Sequence, residues 1–140
     1  MTATVFLVED QTLMRESMQA YLNAEDDLEV SGVAGRAEDV LDRIGDDVPD
    51  LFLIDVALPG MSGIDLLRRL RQRHPDARYL MLSGHVEQTY VEAAHNAGAS
   101  GYVMKGKPDE YLDAIRQILA GKTYRSDTVA SMWDQAATTS

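Results

Sequence analysis

Short apolar runs rich in β-branched and aliphatic residues alternate with segments of helical periodicity from Thr4 to Ala120, and that alternation is the signature of parallel βαβ units. The runs Thr4–Val8, Glu29–Ala34, Leu51–Asp55, Arg78–Ser83 and Gly101–Met104 read as strands. The first, third and fourth are nearly continuous in apolar residues, as strands buried on both faces must be. Between them the periodicity predicts helices near Thr12–Asn23, Ala37–Gly45, Ile64–His74, Gln88–Ala97 and Pro108–Ala120, with Pro75, Gly98 and Gly121 as stop signals. Right-handed crossovers then give an α/β, doubly wound, five-stranded parallel sheet with five helices on its two faces. Such sheets bind ligands at the carboxyl ends of their strands, where the strand order reverses.

A chain of 140 residues with a hydrophobic fraction of 45% builds one core. The expected domain is 1–121, because beyond Gly121 the pattern fades. Thr123–Ser131 is polar, Met132-Trp133 is the last apolar pair, and Gln135–Ser140 reads as frayed, so 122–140 is expected to be a tail or linker remnant. A formal net charge of -10, with no run of Lys or Arg, repels nucleic-acid phosphates and anionic lipid. Neither direct nucleic-acid contact nor membrane association is therefore expected. Cysteine is absent, which excludes disulfides and thiolate metal sites. Met1-Thr2-Ala3-Thr4 runs straight into the first strand without a charged leader or a long apolar segment, and a cytoplasmic location is the expectation.

Chemistry-bearing side chains concentrate at strand ends. The first strand runs into Glu9-Asp10, the third ends in Asp55, the fourth in Ser83, and the fifth is followed at once by Lys105. Acidic side chains crowded together repel one another, and a hard cation with oxygen ligands is the usual relief. Mg²⁺ fits an acidic cluster beside a lysine, because it takes one or two carboxylates and bridges phosphate oxygens. Asp55 then reads as a nucleophile for phosphoryl transfer, with Lys105 and Ser83 gripping the phosphoryl oxygens. Singly, each residue also reads as a solvated strand cap, a surface charge or a turn former; their joint position carries the argument. His74, His85 and His95 lie in separate segments and form no ligand set.

After Asp55 comes Val56-Ala57-Leu58-Pro59-Gly60-Met61-Ser62-Gly63, a tight loop leading into a helix. With the acidic pair, the hydroxyl residue and the lysine, this Asp-x-x-Leu-Pro-Gly-x-x-Gly stretch resembles the receiver domain of two-component response regulators over roughly Thr4 to Ala120. The segments Ala97–Gly106 and Ile118–Lys122 are similar to the NarL/LuxR-type subgroup. The resemblance implies a flavodoxin-like sheet of order 2-1-3-4-5 and a phosphoprotein switch that is not an enzyme beyond self-directed phosphoryl transfer and autodephosphorylation. It implies Asp55 as phosphoacceptor, Asp10 as a direct Mg²⁺ ligand, Glu9 as a second acidic partner, and Ala57 as the residue whose backbone carbonyl completes the metal shell with Asp55. Ser83 and Lys105 match the switch hydroxyl and the phosphate-binding lysine, and Tyr102 matches the aromatic switch position.

The implied partners are a sensor histidine kinase or phosphotransfer protein, a downstream output domain or protein, and a second copy in a homodimer. The output face would be Gln88–Ala97 with Tyr102 and Pro108–Ala120, acting in transcriptional regulation. Members of the subgroup normally continue into a helix-turn-helix domain, whereas this chain stops at Ser140. Ala57 is apolar where many relatives carry a polar side chain, and Gly84 follows Ser83 where a side chain is usual; both positions influence dephosphorylation in the family. The alternative reading is a phosphorylation-independent receiver-like protein-binding module. An Asp-nucleophile phosphatase fits less well, because it would carry a second acid where Ala57 stands and a cap for its substrate. A flavin mononucleotide carrier fits poorly too, since Glu9-Asp10 would repel its phosphate.

Overall fold

The structure is a computed structural model that describes residues 2–139. Met1 and Ser140, which open the expected domain and close the expected tail, lie outside the described residues. Strands β1 (Ala3–Val8), β2 (Leu28–Ala34), β3 (Leu51–Asp55), β4 (Arg78–Ser83) and β5 (Gly101–Met104) alternate with helices α1 (Thr12–Asn23), α2 (Ala37–Arg43), α3 (Gly63–Arg73), α4 (Gln88–Asn96) and α5 (Pro108–Leu119). The strands pair in parallel in the order β2-β1-β3-β4-β5, as expected, and the order continues into a short β6 (Tyr124–Arg125).

The period of two along each strand divides the core into two layers. Val5, Leu7, Leu51, Leu53, Leu80, Leu82 and Val103 pack with Met18 and Leu22 of α1 and Tyr111, Ala114, Ile115 and Ile118 of α5. Phe6, Val8, Phe52, Ile54, Tyr79, Met81 and Tyr102 pack on the other face with residues of α2, α3 and α4. The central strands are apolar between their ends because both of their faces are covered. Phe52 stacks on Tyr79 with ring centroids 5.3 Å apart, and the Tyr79 hydroxyl donates to the His74 carbonyl at 2.7 Å.

The strand order reverses at the β1/β3 junction, and there Val8 lies opposite Ile54. One residue further on, Glu9 and Asp55 emerge side by side from the sheet. The turn after Asp55 is compact enough to demand glycine: a Cβ on Gly63 would sit 1.9 Å from the Asp55 carbonyl oxygen. Gly63 instead donates its N–H to Val56 at 2.9 Å, and Ser62 caps α3 by accepting from Asp65 at 3.1 Å.

The chain beyond Gly121 departs from the expected irregular tail. Strand β6 (Tyr124–Arg125) pairs with β5, a 3₁₀ turn follows at Asp127–Val129, and helix α6 covers Ala130–Thr139. Val129, Trp133 and Ala136 are buried, and Met132 is half-buried against the same layer. Their i, i+3, i+4, i+7 spacing forms the stripe that seats α6 on α4. His95 meets the Trp133 ring edge-on with centroids 4.8 Å apart, and Arg125 grips both carboxylate oxygens of Asp134 at 3.0 Å. Sequence polarity hid this helix because only one face of it is apolar.

Two predictions follow from the packing. Trp133→Ala is expected to lower the unfolding free energy by about 3 kcal/mol in urea titrations, the usual loss for a buried aromatic; a frayed tail would show no change. Burial pushes the Tyr79 phenol from 10.0 up to about 12. The folded state therefore keeps a proton that the unfolded chain releases, and stability falls as pH rises from 10 towards 12. Tyr79→Phe, compared with the parent protein by urea titration across that range, should lack this component of the alkaline loss.

Candidate functional site

Glu9, Asp10 and Asp55 each offer a carboxylate oxygen, and these oxygens lie within 4.8 Å of one another. Glu9 and Asp55 are buried, whereas Asp10 faces solvent. Such proximity is repulsive, and Lys105 offsets it from the end of β5. Its Nζ lies 2.6 Å from Asp55 Oδ2 and 2.8 Å from Glu9 Oε1. Burial alone would push the Lys105 ammonium down, but hydrogen bonds and charge from Asp55 and Glu9 outweigh it and raise its pKa above the ordinary lysine value. The Asp10 carboxyl is pushed up, first by desolvation and then by Glu9 beside it.

Backbone groups complete the setting. Asp55 Oδ1 accepts from the Ala57 N–H at 2.9 Å, and Glu9 Oε2 accepts from the Gln11 N–H at 3.1 Å. Arg15 reaches back to donate to the Glu9 carbonyl at 2.8 Å, which fixes the turn from β1 into α1. Glu9 Oε1 is buried, and its neighbour there is the Lys105 ammonium. An all-oxygen donor set of two buried carboxylates and a third at the surface suits a hard divalent cation.

Two expected site residues are arranged differently from the carboxylate cluster. Ser83 is buried at the end of β4, but its hydroxyl is engaged by the β4–α4 loop, donating to the His85 carbonyl at 2.8 Å and accepting from the His85 N–H at 3.2 Å. Tyr102 is wholly buried within β5, which β6 borders, so the strand is not an open edge at that residue. Among the described residues no hydrogen-bond partner is aligned on its hydroxyl. Burial pushes the phenol up, and the nearby Ser83 hydroxyl offsets this in part. Ala57 is exposed on the rim of the site.

Sequence reasoning missed the groups that hold the chain on either side of Lys105. Tyr111 of α5 accepts the Gly106 N–H at 2.7 Å, and Ser126 accepts the Met104 N–H at 3.3 Å. Tyr111 sits on an ordinary amphipathic helix and Ser126 in a polar stretch, so no local pattern marks either.

The chain belongs to the response regulator receiver domain family, whose model matches residues 5–131. It is 35% identical over 126 residues to the transcriptional regulatory protein MctR of Rhizobium johnstonii, covering 89% of this chain and 59% of that protein. It is 36% identical over 128 residues to the DNA-binding transcriptional activator DevR/DosR of Mycobacterium tuberculosis, covering 91% of this chain and 59% of that protein. The chain thus spans about 60% of the length of these curated relatives. Among solved structures, a LuxR-family two-component response regulator from Aurantimonas superposes with a TM-score of 0.89 at 31% identity, covering 99% of both chains.

Because the carboxylates repel one another, Asp10→Asn should raise the urea midpoint at pH 7 when divalent cations are chelated. Added Mg²⁺ should raise the midpoint of the parent protein more than that of the variant, narrowing or reversing the difference. Equal midpoints for the two proteins under both conditions would contradict a shared cation site.

Proposed function

We propose that this chain is a phosphorylation-switched receiver in which Asp55 accepts a phosphoryl group from a phosphohistidine of a sensor kinase or phosphotransfer protein. The observation that carries the reading is the approach of Lys105 Nζ to 2.6 Å from Asp55 Oδ2 inside an acidic cleft. A lysine there can neutralise the incoming phosphoryl oxygens as charge develops on them. In the transfer, an Asp55 oxygen forms a bond to phosphorus while the bond from phosphorus to the donor nitrogen breaks, and the nitrogen keeps the electron pair. Mg²⁺, held by Glu9, Asp10, Asp55 and the Ala57 carbonyl, would supply charge neutralisation for the transferring group.

Ser83 is the switch hydroxyl in this reading. To reach the phosphoryl group it must exchange its two bonds to His85 for a stronger, charge-assisted one. That exchange would alter the β4–α4 loop and bias the α4–β5–α5 face, where Tyr102 already lies inward. The relatives' names describe transcriptional regulators, which favours an output domain or protein partner acting in transcription. The net charge of -10 argues against nucleic-acid contact by this chain itself, and a cytoplasmic location accords with such a role. No helix among the described residues is long and apolar enough to cross a membrane.

The test is incubation with Mg²⁺ and acetyl phosphate followed by intact mass measurement. One phosphoryl adduct is expected, dependent on Mg²⁺ and absent from Asp55→Ala. Lys105→Met should slow its formation by about 100-fold, the usual loss when one charge-stabilising donor is removed. No adduct on the parent protein, or one that persists in Asp55→Ala, would overturn the assignment and favour a phosphorylation-independent binding module.

A further inference from the structure

Apart from tyrosines, four polar or charged residues are buried among the described residues: Glu9, Asp55, Ser83 and Ser126. The first three line the acidic cleft or its rim. The fourth lies in the C-terminal segment, outside every motif that marks the site, and burying a hydroxyl is unfavourable unless it is fully bonded. Ser126 precedes the 3₁₀ turn, yet its side chain makes no capping bond to that turn. Its hydroxyl instead donates to Glu110 of α5 and accepts the Met104 N–H at 3.3 Å, while its own N–H donates to the Tyr102 carbonyl at 3.0 Å. Every one of these bonds fixes β5 or the first turn of α5.

Lys105 sits between those two elements. Its own N–H donates to the Ser83 carbonyl at 2.8 Å, and its neighbours on both sides are held by side chains, Met104 by Ser126 and Gly106 by Tyr111. Strand β6 ends at Arg125, so its pairing with β5 stops short of Met104, and on that side the Ser126 hydroxyl takes the Met104 N–H instead. Three residues further on, Val129 enters the core, and Trp133 then seats α6 against α4.

We propose that Ser126 is a positioning residue for Lys105, and that it couples docking of the C-terminal segment Tyr124–Thr139 to phosphoryl binding at Asp55. The inference rests on the phosphoacceptor reading above. A docked segment holds the β5 end so that the ammonium meets the phosphoryl oxygens. By linkage, a bound phosphoryl group favours the docked segment to the same degree. The C-terminal segment is in this sense a working part of the site.

Calorimetric titration of the full chain with beryllofluoride, a phosphoryl mimic, in saturating Mg²⁺ tests this alongside titration with Mg²⁺ alone. Ser126→Ala should weaken beryllofluoride binding by about 5-fold or more, within the usual range of coupling between sites, and leave Mg²⁺ affinity unchanged. Ser126→Thr, which keeps the hydroxyl, should restore much of the loss. A serine that merely stabilises the fold would lower the melting temperature and leave both affinities as they were, which would overturn the proposal. Hydrogen exchange on the parent protein supplies a second readout that needs no variant. Beryllofluoride should slow exchange at the Met104 and Ser126 amides, and unchanged rates there would equally overturn the coupling. If the parent protein binds no beryllofluoride at all, the phosphoacceptor reading fails and this inference with it; binding by the parent with equal affinity in Ser126→Ala defeats the inference alone.

Discussion

Two buried carboxylates and one exposed carboxylate share a space under 5 Å across, and one lysine, paired with the two buried ones, offsets part of their repulsion. In a medium less polarisable than water this arrangement is costly without compensation, and removing the lysine would leave an uncompensated buried charge. The surrounding architecture answers that constraint. The β1/β3 register brings Glu9 beside Asp55, Gly63 lets α3 start directly against the Asp55 carbonyl, and the end of β5 delivers Lys105 from the far side. The apolar layers above and below the sheet keep those backbone positions from relaxing apart.

Much of this is legible in the sequence because it depends on short-range patterns. Leu51-Phe52-Leu53-Ile54, short and set between Pro49 and the Pro59-Gly60 turn, reads as an interior strand, so the residue after it emerges at the sheet's carboxyl edge, and Glu9-Asp10 follows from Val5–Val8 by the same logic. The arrangement of Ser83 is not legible, since a hydroxyl at a strand end can bond to the next loop as readily as face the cleft, and His85 takes it here. The carboxylate cluster is a matter of topology, whereas the orientation of a rotatable hydroxyl is a matter of local competition.

The C-terminal helix escaped notice for a different reason. Val129, Met132, Trp133 and Ala136 have helical spacing, but they are diluted by Ser131, Asp134 and Gln135, and the stripe has meaning only once α4 packs against it, His95 meeting the Trp133 ring. An amphipathic segment this short gains its stability from packing more than from its own propensity. Once seated, it occupies one side of the α4 surface that the expected output face includes. Any partner reading that face meets α6 as well as α4.

Strand β6, only two residues long, also changes what the sheet offers to other chains. Without it, β5 would present unpaired backbone groups along a short apolar edge, the kind of edge that recruits strands from neighbouring molecules. Its pairing with Gly101 and Tyr102 covers that edge with the chain's own backbone and leaves as the new border a strand of two residues, too short to template another. The opposite border, β2, carries the exposed Glu29 and Ser31, with Gly32 between them and Val33. A negative charge and a glycine there make poor templates for a seventh strand, so the sheet resists growing sideways at both ends by two different means.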